Sequence, residues 1–259
     1  MLILVTNDDG IHTPGIGVLA EKLAEIGRVI VVAPDRERSA AGHSMTLHSP
    51  LRAEEIRPGF FAVDGTPTDC VNLGIHGLFP ERPQLVVSGI NRGGNLGDDI
   101  TYSGTVAAAL ESTLMGVPAF AISLESGPFT AANFEIAARF AATLAEEVLR
   151  RGLPPDTFLN VNIPAGTPRG VRLTRQGKRM YGDVVVENVD PRGRKYYWLG
   201  GGELGFQNVE GTDFHAVHDQ YISVTPLHID LTNYRSFDDL TAWSLEKIGN
   251  SLMKQGGEE

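Results

Sequence analysis

Short apolar runs and helical periods take turns along the chain. MLILVTN predicts a buried strand; GIGVLAEKLAEIG follows with Ile16, Leu19, Leu23 and Ile26 at helical spacing, closed by Gly27. RVIVVAP predicts a second strand ended by Pro34, and the polar stretch DRERSAAGHSM reads as a loop. TLHSPLRAEEI and FFAVDGTP read as a hairpin-like excursion. PTDCVNLGIHGLF predicts a helix, PQLVVSGIN a third strand, TVAAALESTLMG a helix stopped at Gly116, and VPAFAISL a fourth strand. FTAANFEIAARFAATLAEEVLRRG has the pattern of a long amphipathic helix, and TFLNVNIP that of a fifth strand. Strands separated by helices predict right-handed βαβ crossovers, hence an α/β fold with a mostly parallel sheet covered by helices on both faces.

From about Leu173 the pattern changes. VVVEN and KYYWLG read as arms of a β-hairpin, AVHDQYISVTPLHIDLT as a strand-rich piece, and SFDDLTAWSLEKIGNSLMKQ as a terminal helix with Ser236 at its N-cap. The expected organisation is a single domain over residues 1–259 with a β-rich C-terminal elaboration at about 173–235. The aromatics Tyr181, Tyr196, Tyr197 and Trp198 on that hairpin suit an interface, so a homo-oligomer is expected.

Composition narrows the function. The 259 residues carry a net charge of −10, which argues against nucleic-acid polymers and membrane surfaces as partners, since both require a basic face. A small anionic substrate stays open, because a bound cation inverts the local potential of an acidic site. The single cysteine, Cys70, leaves no internal disulfide framework and reads as a buried apolar side chain. No signal peptide and no apolar run of membrane-spanning length is visible, so a cytoplasmic protein is the expectation.

The polar residues at the strand ends carry the chemistry. Asp8 and Asp9 close the first strand, Ser39 lies past the second, and Ser88-Gly89-Ile90-Asn91 ends the third. Ligands of open parallel sheets bind beyond the carboxyl ends of the strands, so three strand ends deliver oxygen donors to one edge. Carboxylate, hydroxyl and amide oxygens suit Mg²⁺, Mn²⁺ or Ca²⁺. Taken singly, Asp8-Asp9-Gly10 also reads as a turn or helix cap, Ser39 as a solvated loop serine and Asn91 as a backbone cap. Further on, Gly93, Gly94 and Gly97 permit close approach to a ligand, and Ser103-Gly104-Thr105 opens a helix whose N-terminus suits phosphate or is simply capped by its own hydroxyls. Neither a P-loop nor a G-x-G-x-x-G follows the first strand.

NDDG, SGIN-x-G-x-N, YSGTV-x-AA-x-E and the later TDFHAVHDQYISVTPL resemble the survival protein E (SurE) family of metal-dependent nucleotidases. The resemblance implies a Rossmann-like core and one divalent cation per subunit, Mg²⁺ or Mn²⁺. It further implies hydrolysis of nucleoside 5′- and 3′-monophosphates, with short polyphosphate as a further substrate class. Carried over, the metal ligands are Asp8, Asp9, Ser39 and Asn91, with the two aspartates catalytic, and the phosphate neighbourhood is Asn95, Ser103, Gly104 and Thr105. Dimers or tetramers exchanging C-terminal arms are implied too. The expected mechanism is metal-assisted phosphoryl transfer with the helix N-terminus stabilising phosphoryl charge. On this basis Asp8→Asn damages metal binding, whereas Gly104→Val damages phosphate binding alone. His43 in AAGHSM reads as a general acid, a nucleoside contact or a solvated loop histidine. A haloacid-dehalogenase-type phosphatase is disfavoured, since its two aspartates are separated by one residue. A non-catalytic metal and nucleotide sensor is the alternative of a different class.

Overall fold

The computed structural model describes residues 1–180, 185–199 and 205–246, in two compact units, Met1–Ile229 and Asp230–Glu259. The first unit is built on a nine-stranded sheet. In chain order its elements begin β1 (Leu2–Thr6), α1 (Pro14–Leu23), β2 (Arg28–Pro34), β3 (Ala53–Arg57), β4 (Phe60–Val63) and α2 (Pro67–Asn72). A π-helical turn over Leu73–Gly77 extends α2, and β5 (Leu85–Arg92), α3 (Gly104–Leu114), β6 (Ala119–Leu124), α4 (Ala131–Arg151) and β7 (Thr157–Ile163) follow. Then come β8 (Val171–Leu173), β9 (Arg179–Met180), β10 (Val185–Val189), β11 (Lys195–Leu199), β12 (Gly205–Phe206), α5 (Asp213–His218) and β13 (Ile222–His228).

The strand order is β3-β4-β2-β1-β5-β6-β7-β13-β8. The run from β4 to β7 is parallel throughout, with β3 and β13 antiparallel to their neighbours β4 and β7. The expected α/β class with a mostly parallel sheet is therefore the observed one. Strand β1 shows why: Ile3 and Val5 enter one core with α1 and α4, while Leu2 and Leu4 enter another with α2 and α3. A strand buried on both faces must read as a continuous apolar run. The chain leaves β1 for β2 on one side and later returns as β5 on the other, so the topology reverses between β1 and β5, where such sheets bind ligands.

Two sequence expectations need correction. AVHDQY does not begin as strand: Asp213–His218 is α5, capped by the Thr212 hydroxyl, which accepts from the His215 N–H at 3.3 Å, and only Ile222–His228 is extended. The short helix was hidden because Phe214 and Val217 are its only large apolar residues, too few to show a period. In the second unit, α6 (Phe237–Thr241) is one short helix, preceded by a 3₁₀ turn at Tyr234–Ser236. Ser236 makes no capping bond, since its backbone is already in the helical region, where the side chain does not face the orphan N–H groups. The chain turns at Ala242–Ser244, with Ser244 at φ +52°, so the expected long helix is interrupted; its part from residue 247 on lies outside the described residues, as does Tyr181 of the hairpin.

Antiparallel β10 and β11 form a separate two-stranded ribbon, as the hairpin reading expected. Val185, Val189, Tyr197, Trp198 and Leu199 are all exposed on it. Cys70 is fully buried in α2 as a free thiol. Among the described residues no helix is long and apolar enough to cross a membrane.

Candidate functional site

The turn after β1 is held by Asn7. Its amide donates to the Gly10 carbonyl and to Thr13 Oγ1, both at 3.0 Å, and its Oδ1 accepts the Gly10 N–H at 3.2 Å. Local bonds of this kind satisfy a tight turn, and they leave the next two side chains, Asp8 and Asp9, to be buried at the switch point. The plain-turn reading of this segment is thus half right: Asn7 makes the turn, and the aspartates are not needed for it.

Asp8 faces α3. The Thr105 hydroxyl donates to Asp8 Oδ1, and the Gly104 and Thr105 N–H groups point at the same carboxylate. A Cβ at Gly104 would stand 2.9 Å from Asp8 Cβ and 3.1 Å from both Asp8 Oδ2 and Pro67 Cγ, so only glycine fits. The Ser103 hydroxyl accepts the Val106 N–H at 3.1 Å and caps the helix. Burial pushes the Asp8 carboxyl above the usual carboxylate range, against the opposing effect of the Thr105 donors. Burial also raises Asp9, helped by the charge of Asp8. The opposing partner is Arg92, whose N–H reaches Asp9 Oδ2 at 3.0 Å and whose Nε lies 3.5 Å from Oδ1.

Two buried carboxylates, each held above its ordinary pKa by desolvation, with one half-exposed arginine nearby, lack positive charge. Other oxygens gather around them. Asn91, at the end of β5, donates its amide NH₂ to the Gly93 carbonyl at 2.7 Å, a bond that does not use its Oδ1. Thr6 Oγ1 and Ser88 Oγ, opposite each other across β1 and β5, are buried hydroxyls with no protein partner. Among the described residues no three His, Cys, Asp or Glu side chains cluster as a metal site, so a cation here would rest on two carboxylates and neutral oxygens. That donor set fits a hard divalent ion.

The other expected residues are placed less directly. Ser39 is exposed and its hydroxyl bonds Glu37 Oε1 at 2.6 Å, although the neighbouring Arg38 N–H donates to the Asp8 carbonyl at 2.7 Å. Asn95 is buried: its amide donates to Ser123 Oγ at 2.7 Å, and its carbonyl accepts from Asn160 and Asn162 at 2.7 and 2.9 Å. The structure therefore brings Asp8, Gly104 and Thr105 into direct contact, with Asp9 adjacent. Separate damage to metal and phosphate sites through Gly104 is not available, because a side chain there meets Asp8 first.

Several residues around this edge escaped the sequence reading. Asn160 and Asn162 had a signal, two polar residues on one face of a buried strand. Glu111 closes the YSGTV-x-AA-x-E motif but was given no role there, although it is a lone acid in the apolar run of α3. Beyond the Gly93–Gly97 segment lies a cavity of about 390 Å³ lined by Gly94, Leu96, Glu125, Arg179, Phe206 and Phe214, among others. Phe206 and Phe214 stack there with centroids 5.0 Å apart.

The class these features define is a doubly wound α/β protein with an acidic site at its topological switch point, set against a helix N-terminus. The sequence model of the family described as survival protein SurE matches residues 3–183. The 5′-nucleotidase SurE of Syntrophotalea carbinolica is 68% identical over 245 residues, covering 95% of this chain and 98% of that one. Its counterpart in Geobacter sulfurreducens is 65% identical over 248 residues, covering 95% and 94%. The crystal structure of the SurE protein from Aquifex aeolicus aligns with a TM-score of 0.84 at 46% identity, over 94% of this chain and 99% of that one. This chain belongs to the SurE family.

Proposed function

We propose that this protein is a divalent-metal-dependent phosphoric monoester hydrolase acting on nucleoside 5′-monophosphates, with 3′-monophosphates and short polyphosphate as further substrates. The observation that carries this is the under-neutralised Asp8–Asp9 pair at the switch point, with the N-terminus of α3 against Asp8. The names of the relatives, 5′-nucleotidase SurE, support the substrate class.

Asp8, Asp9, Asn91 and Ser39 would hold one Mg²⁺ or Mn²⁺, the last after its hydroxyl turns from Glu37. When bound, the cation supplies Lewis-acid polarisation of a phosphoryl oxygen. The chain's own part is to orient the phosphate. Thr105 and Gly104 hold Asp8 in place and favour its ionised form against the effect of burial, and Asn95, Ser103, Gly104 and Thr105 would meet the phosphoryl oxygens. Turning the Asn95 amide over lets the Ser123 hydroxyl donate to Oδ1 and frees the NH₂ for a phosphate oxygen. The cavity beyond Gly94 offers room for the nucleoside.

The exposed apolar side chains of the β10–β11 ribbon support a dimer or tetramer built through residues 173–235, within one functional domain spanning 1–259. The fully buried free thiol of Cys70 accords with a cytoplasmic protein. Phosphate release from nucleoside monophosphates, polyphosphate and generic phosphate esters, with Mg²⁺, Mn²⁺ or EDTA, tests the reading. Turnover of nucleotides that chelation abolishes is expected. Binding without turnover would make the protein a sensor, and undiminished turnover after exhaustive chelation would refute the metal.

A further inference from the structure

Glu111 is a buried carboxylate that the proposed chemistry does not use. It sits seven residues after Gly104 on α3, so at 3.6 residues per turn the two lie on nearly the same strip of the helix. Gly104 on that strip abuts Asp8. Both Glu111 oxygens are engaged: Oε1 accepts from the Asn72 amide at 2.7 Å, and Oε2 lies 2.6 Å from His43 Nε2. His43 is a third exposed and belongs to the loop that follows β2, the loop that also carries Ser39.

That loop lacks regular structure, yet it is fastened at both ends. Near its start the Arg38 N–H donates to the Asp8 carbonyl at 2.7 Å. Near its end the Thr66 hydroxyl donates to the Ser44 carbonyl at 2.7 Å, and Thr46 donates to Asp69 through its N–H at 2.9 Å and its hydroxyl at 2.6 Å. Between these ends the crest Ser39–Gly42 is exposed or half-buried, with Ala40 and Gly42 both at φ +57°. Directly after the crest, the His43 ring is drawn down onto Glu111.

We propose that Glu111 is a positioning residue: through His43 it sets the crest of the loop so that the Ser39 hydroxyl can join the cation held by Asp8 and Asp9. The inference rests on the metal site proposed above. A carboxylate is suited to this task, because a bond from a ring nitrogen to a buried charged acceptor is stronger than one between neutral groups. Partners that orient a ligand from behind it typically change metal affinity on the order of 10- to 100-fold when removed.

Calorimetric titration with Mn²⁺, at a temperature well below the melting point of each variant, reads the effect apart from activity. Glu111→Ala and His43→Ala should each weaken Mn²⁺ binding about tenfold, while His43→Gln, which keeps an N–H at similar reach, restores most of it. Ser39→Ala combined with Glu111→Ala should bind no more weakly than Ser39→Ala alone, since a residue acting through Ser39 has nothing further to lose. A purely structural role for Glu111 would lower the melting temperature and leave Mn²⁺ affinity as in the parent. If Glu111→Ala does not fold, the half-exposed His43 site carries the test by itself. Parent-like affinity in His43→Ala, or losses that add in the double variant, would overturn the proposal while Asp8→Asn still binds Mn²⁺ weakly. Parent-like affinity in Asp8→Asn would overturn the metal site and this inference with it.

Discussion

Asp213 and the Asp8–Asp9 pair are buried acids of the same unit, and both are pushed above the ordinary carboxylate range by burial. Their surroundings differ. Asp213 accepts the N–H groups of Gly97, Gly177 and Phe214, each at 2.8 Å, and so ties the Gly97 segment to the chain leaving β8 and to its own helix α5. Its oxygens are met by fixed donors from three stretches of backbone, which is how a protein closes a fold around a carboxylate. Asp8 and Asp9 instead stand side by side, and the charge of Asp8 adds to the raised pKa of Asp9. The half-exposed Arg92 guanidinium faces Asp9 alone, leaving Asp8 with neutral donors from Gly104 and Thr105. A buried acid saturated by backbone donors is a fastening; a pair left short of positive charge is a place for a ligand.

The comparison breaks most sharply at Asp8. Asp8→Asn removes a charge from the pair, and we expect nucleotide turnover to fall by about 10²-fold or more, with Mn²⁺ affinity falling in parallel. Parent-like calorimetric binding would erase the distinction from Asp213. Gly104→Val comes next. Its Cβ would meet Asp8 itself, so we expect weakened Mn²⁺ binding together with a loss of about tenfold or more in kcat/KM, measured as phosphate release against substrate concentration.

Asp213→Ala should act on stability and not on the cation. It leaves three buried N–H groups without their acceptor, a loss of about 3 kcal/mol, or roughly 5–10 °C in melting temperature for a chain of this size. Mn²⁺ affinity below the transition should match the parent.

The smallest effect is in pH. For Asp8 and Asp9 the folded pKa lies above the unfolded value near 3.8, so without metal the folded chain holds protons that the unfolded chain has released. Stability from these groups is greatest below that value and is lost as pH rises through the folded pKa. A cation displaces those protons, so the rise in melting temperature on adding Mn²⁺ should grow with pH across the same window. Burial of Asp213 gives the same sign without metal, but a cation should not alter its share.

Much of this was legible in the chain. Strands β1, β2, β5, β6 and β7 are apolar runs because both faces of the sheet are covered, and helices α1 and α4 carry their period openly. The NDDG turn, the SGIN strand end and the SGT helix start declared themselves as oxygen-rich ends of those elements. Where regular structure is short, legibility failed: α5 was read as strand, and the last helix was read as continuous through Ala242–Ser244, where the chain turns. Six-residue helices owe their existence to what they pack on more than to their own propensity.

By itself the sequence determined the α/β class, the order of the main elements and the residue types that gather at the carboxyl edge, because periodicity and turn chemistry are local properties. The tertiary structure alone decided which of those residues touch. It set Gly104 against Asp8, turned Ser39 toward Glu37, and joined His43 to Glu111 across 68 positions of chain. It also distinguished the fastened Asp213 from the under-neutralised pair. Whether a buried acid is satisfied depends on donors brought in from distant segments, and no local pattern encodes that.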